Sequence, residues 1–93
     1  MQGCYLLHFD RPIYGAQHYL GWATKVARRV AVHHRGRGAR LVAQALSAGI
    51  HVDLVRVWPD VDQAKERALK RNGPKSYCPK CKLRRTRKAN SAA

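Results

Sequence analysis

A chain of 93 residues has room for one domain, and a hydrophobic share of 45% gives that domain a packed core and excludes global disorder. Nineteen Lys and Arg stand against five Asp and Glu, a formal net charge of +14. A field of that sign draws polyanions by displacing their condensed counterions, so nucleic acid is the expected partner, with a basic ribosome-associated protein as the plainest alternative. No apolar run approaches the roughly 20 residues that cross a bilayer. No long basic helix with a bulky apolar face is present either, so a membrane is not expected as a partner. The first residues, Met1 to Tyr5, lack a basic start followed by a signal-peptide core, which predicts a cytoplasmic protein.

The elements follow in chain order. Cys4-Tyr5-Leu6-Leu7-His8-Phe9 predicts a buried strand, Asp10-Arg11-Pro12 a turn helped by Gly15, and His18 to Trp22 the returning strand of a hairpin. Thr24 is a candidate cap for a helix whose Val26, Val30 and His33 share one face and whose Arg28, Arg29 and Arg35 mark its basic side and end. Gly36-Arg37-Gly38 breaks it. Ala39 to Ala48 predicts a second short helix with Gly49 as its stop. Ile50 to Trp58 predicts a third strand, ended by Pro59-Asp60. Asp60 or Asp62 caps a third helix that runs to about Arg71 and stops at Gly73-Pro74. The order strand, strand, helix, helix, strand, helix predicts an α/β fold: a small three-stranded antiparallel sheet flanked by helices. Residues 1–74 form the domain, and residues 75–93 carry a Cys-x-x-Cys segment and a basic tail that reads as disordered from about Leu83.

The residues that carry chemistry lie inside this frame. Gly3-Cys4-Tyr5 sits on the first strand and Tyr19-Leu20-Gly21 on the second. Arg29 follows on the first helix, His33 one helical turn later, and Glu66 on the last helix. This ordered series resembles the GIY-YIG nuclease superfamily, and most closely its short, free-standing bacterial members. The resemblance covers roughly residues 3 to 73, and the series is far more specific than either triplet. The sequence departs from the pattern in having Cys4 and Leu20 at the middle of the two triplets, both apolar strand positions. Asn72 follows Glu66 too closely to match the asparagine that many members carry. The resemblance implies a metal-dependent endonuclease acting on DNA, with RNA left open. In it Tyr5, Tyr19, Arg29, His33 and Glu66 are catalytic, and Glu66 holds Mg²⁺ or Mn²⁺.

The residues make the same chemical sense on their own. Phosphodiester hydrolysis needs an activated water, a proton acceptor, neutralisation of phosphorane charge and help for the leaving oxygen. Glu66 is the sole glutamate of the chain, and a hard divalent ion with one carboxylate and several waters suits a one-metal site. Arg29 offers a guanidinium for phosphate charge, and His33, at i+4 on the same helical face, can bond a tyrosine oxygen. By the resemblance, one of the two tyrosines takes the water's proton, which requires its phenol to be acidified by the metal or by Arg29.

Further features carry weaker signals. Gly36 to Arg40 is a glycine-interleaved basic loop that opens a helix, so Arg37 and Arg40, together with Lys70, are candidate nucleic-acid contacts. Cys78 and Cys81 are candidate zinc ligands, but a structural zinc site needs four, and a distant histidine or a second chain would have to complete it. The expectation favours two free thiols packed against the core. Two other functions remain in play: a nucleic-acid-binding module that keeps the fold without turnover, and a zinc-dependent adaptor built on the Cys-x-x-Cys.

Overall fold

The computed structural model describes residues 1–81. Strands β1 (Gly3–Ile13) and β2 (Ala16–Ala23) are followed by helices α1 (Val26–His34) and α2 (Arg40–Ser47), strand β3 (Val52–Pro59) and helix α3 (Gln63–Asn72). A short 3₁₀ turn, Pro74–Tyr77, and a helical stretch at residues 79–81 complete the described chain. The strands form one antiparallel sheet in the order β2-β1-β3, flanked by helices, which is the fold class that the sequence predicts.

The centre of the sheet explains the unbroken apolar run on β1. A central strand is covered on both faces, so Gly3 to Phe9 are all buried, whereas the edge strand β2 is half-buried over Ala16 to Tyr19 and the edge strand β3 alternates from Asp53 to Val57. Alternate side chains divide between two cores. Tyr5, Leu7 and Phe9 pack with Ala23, with Val26 and Val30 of α1 and with Val42 and Ala45 of α2. Cys4 and Leu6 pack on the other face with Leu20, with Leu69 of α3 and with Cys78 and Cys81. Each large apolar side chain so buried contributes about 1.5–3 kcal/mol. The C-terminal segment through Cys81 is thus part of the second core. The basic tail expected from Lys82 onward lies outside the described residues.

Several boundaries differ from the sequence expectation for physical reasons. Asp10-Arg11-Pro12 does not turn the chain. The strand runs on past the core to Ile13, which pairs with Ala16, and the reversal is made by Tyr14 and Gly15, both at positive φ (50° and 77°). Two such residues are what a tight hairpin requires. Asp10 is held instead by its N–H to the His51 carbonyl at 3.0 Å. Thr24 does not cap α1. The cap position is Lys25 without a side-chain bond, and the first helical N–H, on Val26, donates to the Met1 carbonyl at 3.0 Å. Of the two candidate caps for α3, Asp62 accepts from the Lys65 N–H, while Asp60 takes a turn conformation at φ 57°. Among the described residues no helix is long and apolar enough to cross a membrane.

Candidate active site and metal-ligand cluster

Tyr5 and Tyr19 share one face of the hairpin because the residue opposite Tyr5 is Gly21 and Tyr19 lies two residues before it. Their ring centroids are 6.2 Å apart. His33, delivered by the buried stripe of α1, closes the group with centroids 5.5 Å from Tyr5 and 5.2 Å from Tyr19. Tyr5 and His33 are each 1% exposed, whereas Tyr19 is only partly covered. Tyr19 is therefore the phenol that solvent reaches.

The proton arrangement of this group follows from its hydrogen bonds. The Ala39 backbone N–H donates to His33 Nδ1 at 3.2 Å, so that nitrogen carries a lone pair. The proton of the neutral ring is then on Nε2, and the 2.6 Å contact with Tyr5 is a bond donated by His33 to the phenol oxygen. Burial, with the nearby Arg29 charge, holds His33 below its ordinary pKa, which keeps it in that neutral form. The loop that supplies the Ala39 N–H passes so close to the ring that a Cβ at Gly38 would collide with Nδ1. This is a packing reason for the glycines of the basic loop that stands beside any role in binding.

Burial and the neighbouring Tyr19 push the Tyr5 phenol well above its ordinary value; Arg29 pulls it down and Glu66 pushes it up. Both charges therefore lie within electrostatic reach of the tyrosines. Arg29 is exposed on α1 and, with Thr24, Lys25 and Arg28, lines an open groove of about 320 Å³. Glu66 on α3 is part-buried, with its side chain 19% exposed, and accepts a bond from Lys70 at 3.1 Å. Lys70 is accordingly engaged with the carboxylate. Arg37 and Arg40 are exposed on either side of the Gly38-Ala39 turn.

On the opposite face of the same hairpin the chain gathers a second set of ligands. His8 and His18 are directly paired across β1 and β2, and with Cys78 and Cys81 they bring four donor atoms within 4.8 Å of one another. This cluster could hold a metal ion, and its sulfur and imidazole donors favour zinc over magnesium. Burial and the proximity of His8 push His18 down to about 4, so it is neutral at pH 7, the ligating form of imidazole.

No family model, curated protein or solved structure matches this chain.

The sequence reading allows a distant histidine beside the Cys-x-x-Cys but singles out neither His8 nor His18. A signal was present: His8 is a polar residue inside the apolar run of a central strand, and burial of such a group demands a partner. Cys78 and Cys81 do pack into the core, at 0% and 5% exposure, and with the two histidines they form a cluster that could hold a metal ion. The histidines brought beside them are what the Cys-x-x-Cys alone did not supply.

Proposed function

We propose that this chain is a GIY-YIG-type, metal-dependent endonuclease that hydrolyses phosphodiester bonds of DNA with Tyr5, Tyr19, Arg29, His33 and Glu66 as its catalytic residues. The observation that carries the reading is the convergence of two tyrosines from adjacent strands with a neutral histidine. The charges of a helix arginine and of the chain's sole glutamate both reach the same phenol. Tyr5, Tyr19 and His33 come from three different elements and meet in one group, with Arg29 and Glu66 within electrostatic reach of it.

Glu66 suits a hard divalent ion. It is one part-buried carboxylate, and the His and Cys donors that gather elsewhere among the described residues are separate from it. Mg²⁺ or Mn²⁺ held there would supply positive charge at the scissile phosphate and at the attacking water. Arg29 neutralises charge on the phosphate as it develops. Lys25, Arg28 and Arg29 seat the neighbouring backbone phosphates in the groove that they line. His33 cannot take a proton through Nε2, which already carries one. It donates that N–H to Tyr5, and so would stabilise the phenolate left when the phenol loses its proton to solvent in the loaded site; that phenolate then accepts the water's proton and returns to the phenol. Without a bound cation, burial keeps Tyr5 a phenol, which ties its reactivity to the loaded site.

The test is incubation of the purified chain with plasmid, branched and flapped DNA, with and without Mg²⁺ or Mn²⁺. Cleavage that requires the ion supports the nuclease. Binding without cleavage of any DNA or RNA form in either ion replaces it with the binding module.

A further inference from the structure

We propose that His8 Nδ1, His18 Nε2, Cys78 Sγ and Cys81 Sγ bind one structural zinc ion that clamps the C-terminal segment onto the β1–β2 hairpin. The proposal goes beyond the nuclease reading and does not depend on it.

The spacing of the donors is the first argument. Zinc bonds of about 2.0–2.1 Å to nitrogen and about 2.3 Å to sulfur, set tetrahedrally, place donors about 3.3 to 3.8 Å apart. The two histidine nitrogens are 3.3 Å apart, Cys78 Sγ is 3.4 Å from His8 Nδ1, and Cys81 Sγ is 3.4 Å from His18 Nε2 and 4.0 Å from His8 Nδ1. Each of these contacts taken singly can be a hydrogen bond, but one hydrogen bond per ring nitrogen does not account for the convergence of all four atoms. A ring nitrogen carries either one proton or one lone pair, and His8 Nδ1 has three donor atoms around it. A cation at their centre satisfies all of them together.

The way the chain delivers the four ligands is the second argument. The histidines are opposite one another in an antiparallel pair, and the cysteines stand at the Cys-x-x-Cys spacing in a tight segment at the edge of the second core. Between the cysteines, Lys80 reaches back to Asp53 on β3, which fixes the segment from its outer side. Binding releases two thiol protons, and two thiolates then balance the charge of Zn²⁺, so a neutral site is buried. Four protein ligands leave no open position, which makes the site structural.

The consequence reaches the opposite face of the sheet. His8 and His18 point away from Tyr5 and Tyr19, and a slip of β2 by one residue would carry both His18 and Tyr19 to the wrong faces. Pinning the histidines therefore pins the register that presents the tyrosines.

The experiment uses the full chain purified from zinc-supplemented medium. Elemental analysis should find zinc equimolar with protein. Stripping it with a chelator should lower the melting temperature by more than about 10 °C, reversibly on adding Zn²⁺. Co²⁺ in its place should show the visible absorption of a tetrahedral thiolate site. Cys78→Ser and His18→Asn should lose the metal, and if either fails to fold, the unsubstituted chain still decides through its metal content and its Co²⁺ spectrum. A folded chain without zinc whose melting is indifferent to Zn²⁺, a Cys78–Cys81 disulfide, or iron in zinc's place would each overturn the proposal. Glu66→Ala should keep its zinc whether or not the parent cleaves DNA, which separates this result from the nuclease test.

Discussion

The ring of Tyr5 lies across Gly21, its cross-strand partner, so closely that a Cβ at that position would stand 2.5 Å from the phenol oxygen. The same Cβ would be 3.0 Å from a ring carbon of Tyr19. The glycine leaves the space in which both tyrosines meet, and this is the physical content of the Tyr-x-Gly spacing on β2.

Gly21→Ala should therefore displace Tyr5 from His33. Overpacking of this kind costs about 1–3 kcal/mol, and cleavage should fall further than stability does. The measurements are urea unfolding and plasmid nicking. A variant with parent-like activity would show that Tyr5 need not occupy its observed position.

How much of this was legible beforehand depended on the range of the interaction concerned. The apolar run of β1, the stripe of Val26, Val30 and His33 on α1 and the Gly49 stop are written in local spacing, and the structure follows them. The hairpin turn was misplaced because Asp-Arg-Pro carries turn chemistry while Tyr14 at positive φ does not advertise itself. The α1 cap was misread because its first N–H is satisfied by Met1, a contact between chain segments. The tyrosine, arginine, histidine and glutamate series was visible as an order of residues. The pairing of His8 with His18 follows from strand register, and their meeting with Cys78 and Cys81, across up to 73 positions, follows from the packing of the C-terminal segment.

His33 also predicts a pH dependence of stability. Its folded pKa lies below the ordinary value of about 6.5 because of burial and Arg29. Between the two values the unfolded chain binds a proton that the folded chain does not, so stability falls as pH drops below about 6.5 and the loss stops growing below the folded value. Asp53, lowered mainly by its hydrogen bond from Lys80, adds loss of the same sign at lower pH. Comparing the parent with His33→Gln cancels that background. The variant's unfolding free energy should be flatter between about pH 6.5 and 5, by at most about 1.4 kcal/mol per pH unit. Equal slopes would mean that His33 takes up its proton as readily in the folded chain as in the unfolded one, so that neither burial nor its bond to Tyr5 holds it neutral.

The C-terminal residues Lys82, Arg84, Arg85, Arg87 and Lys88 carry a large share of the positive charge. Ending the chain after Cys81 should leave the melting temperature nearly unchanged, since it keeps every residue of the two cores found among the described residues. DNA binding should weaken at low salt, and the dependence of log K on log salt should become shallower by about 0.9 for each phosphate that is no longer neutralised. A large fall in melting temperature would show that the removed residues stabilise the fold.

The nuclease reading stands or falls on Glu66 and Arg29, and cleavage must be separated from binding to judge it. Glu66→Ala should abolish cleavage in Mg²⁺ while binding in Ca²⁺ is kept or tightened, because a protein of net charge +14 becomes more positive. The fold should tolerate the change, since the bond removed is an i,i+4 pair with a half-exposed Lys70, and such pairs contribute only about 0.3–0.5 kcal/mol. Lys70→Ala is the necessary control: it breaks the same pair but leaves the carboxylate, so it should weaken DNA binding while bound DNA is still cut in a metal-dependent way. Arg29→Ala should slow turnover on the order of 10²-fold or more, the usual loss for one fixed electrostatic interaction in a transition state. Arg29→Lys should recover little of it, because an ammonium keeps the charge but not the planar fork that holds two phosphate oxygens. If Glu66→Ala cleaves as fast as the parent, the one-metal site is wrong. If Lys70→Ala cuts bound DNA as poorly as Glu66→Ala does, the carboxylate acts through its partner on α3, and the cation belongs elsewhere.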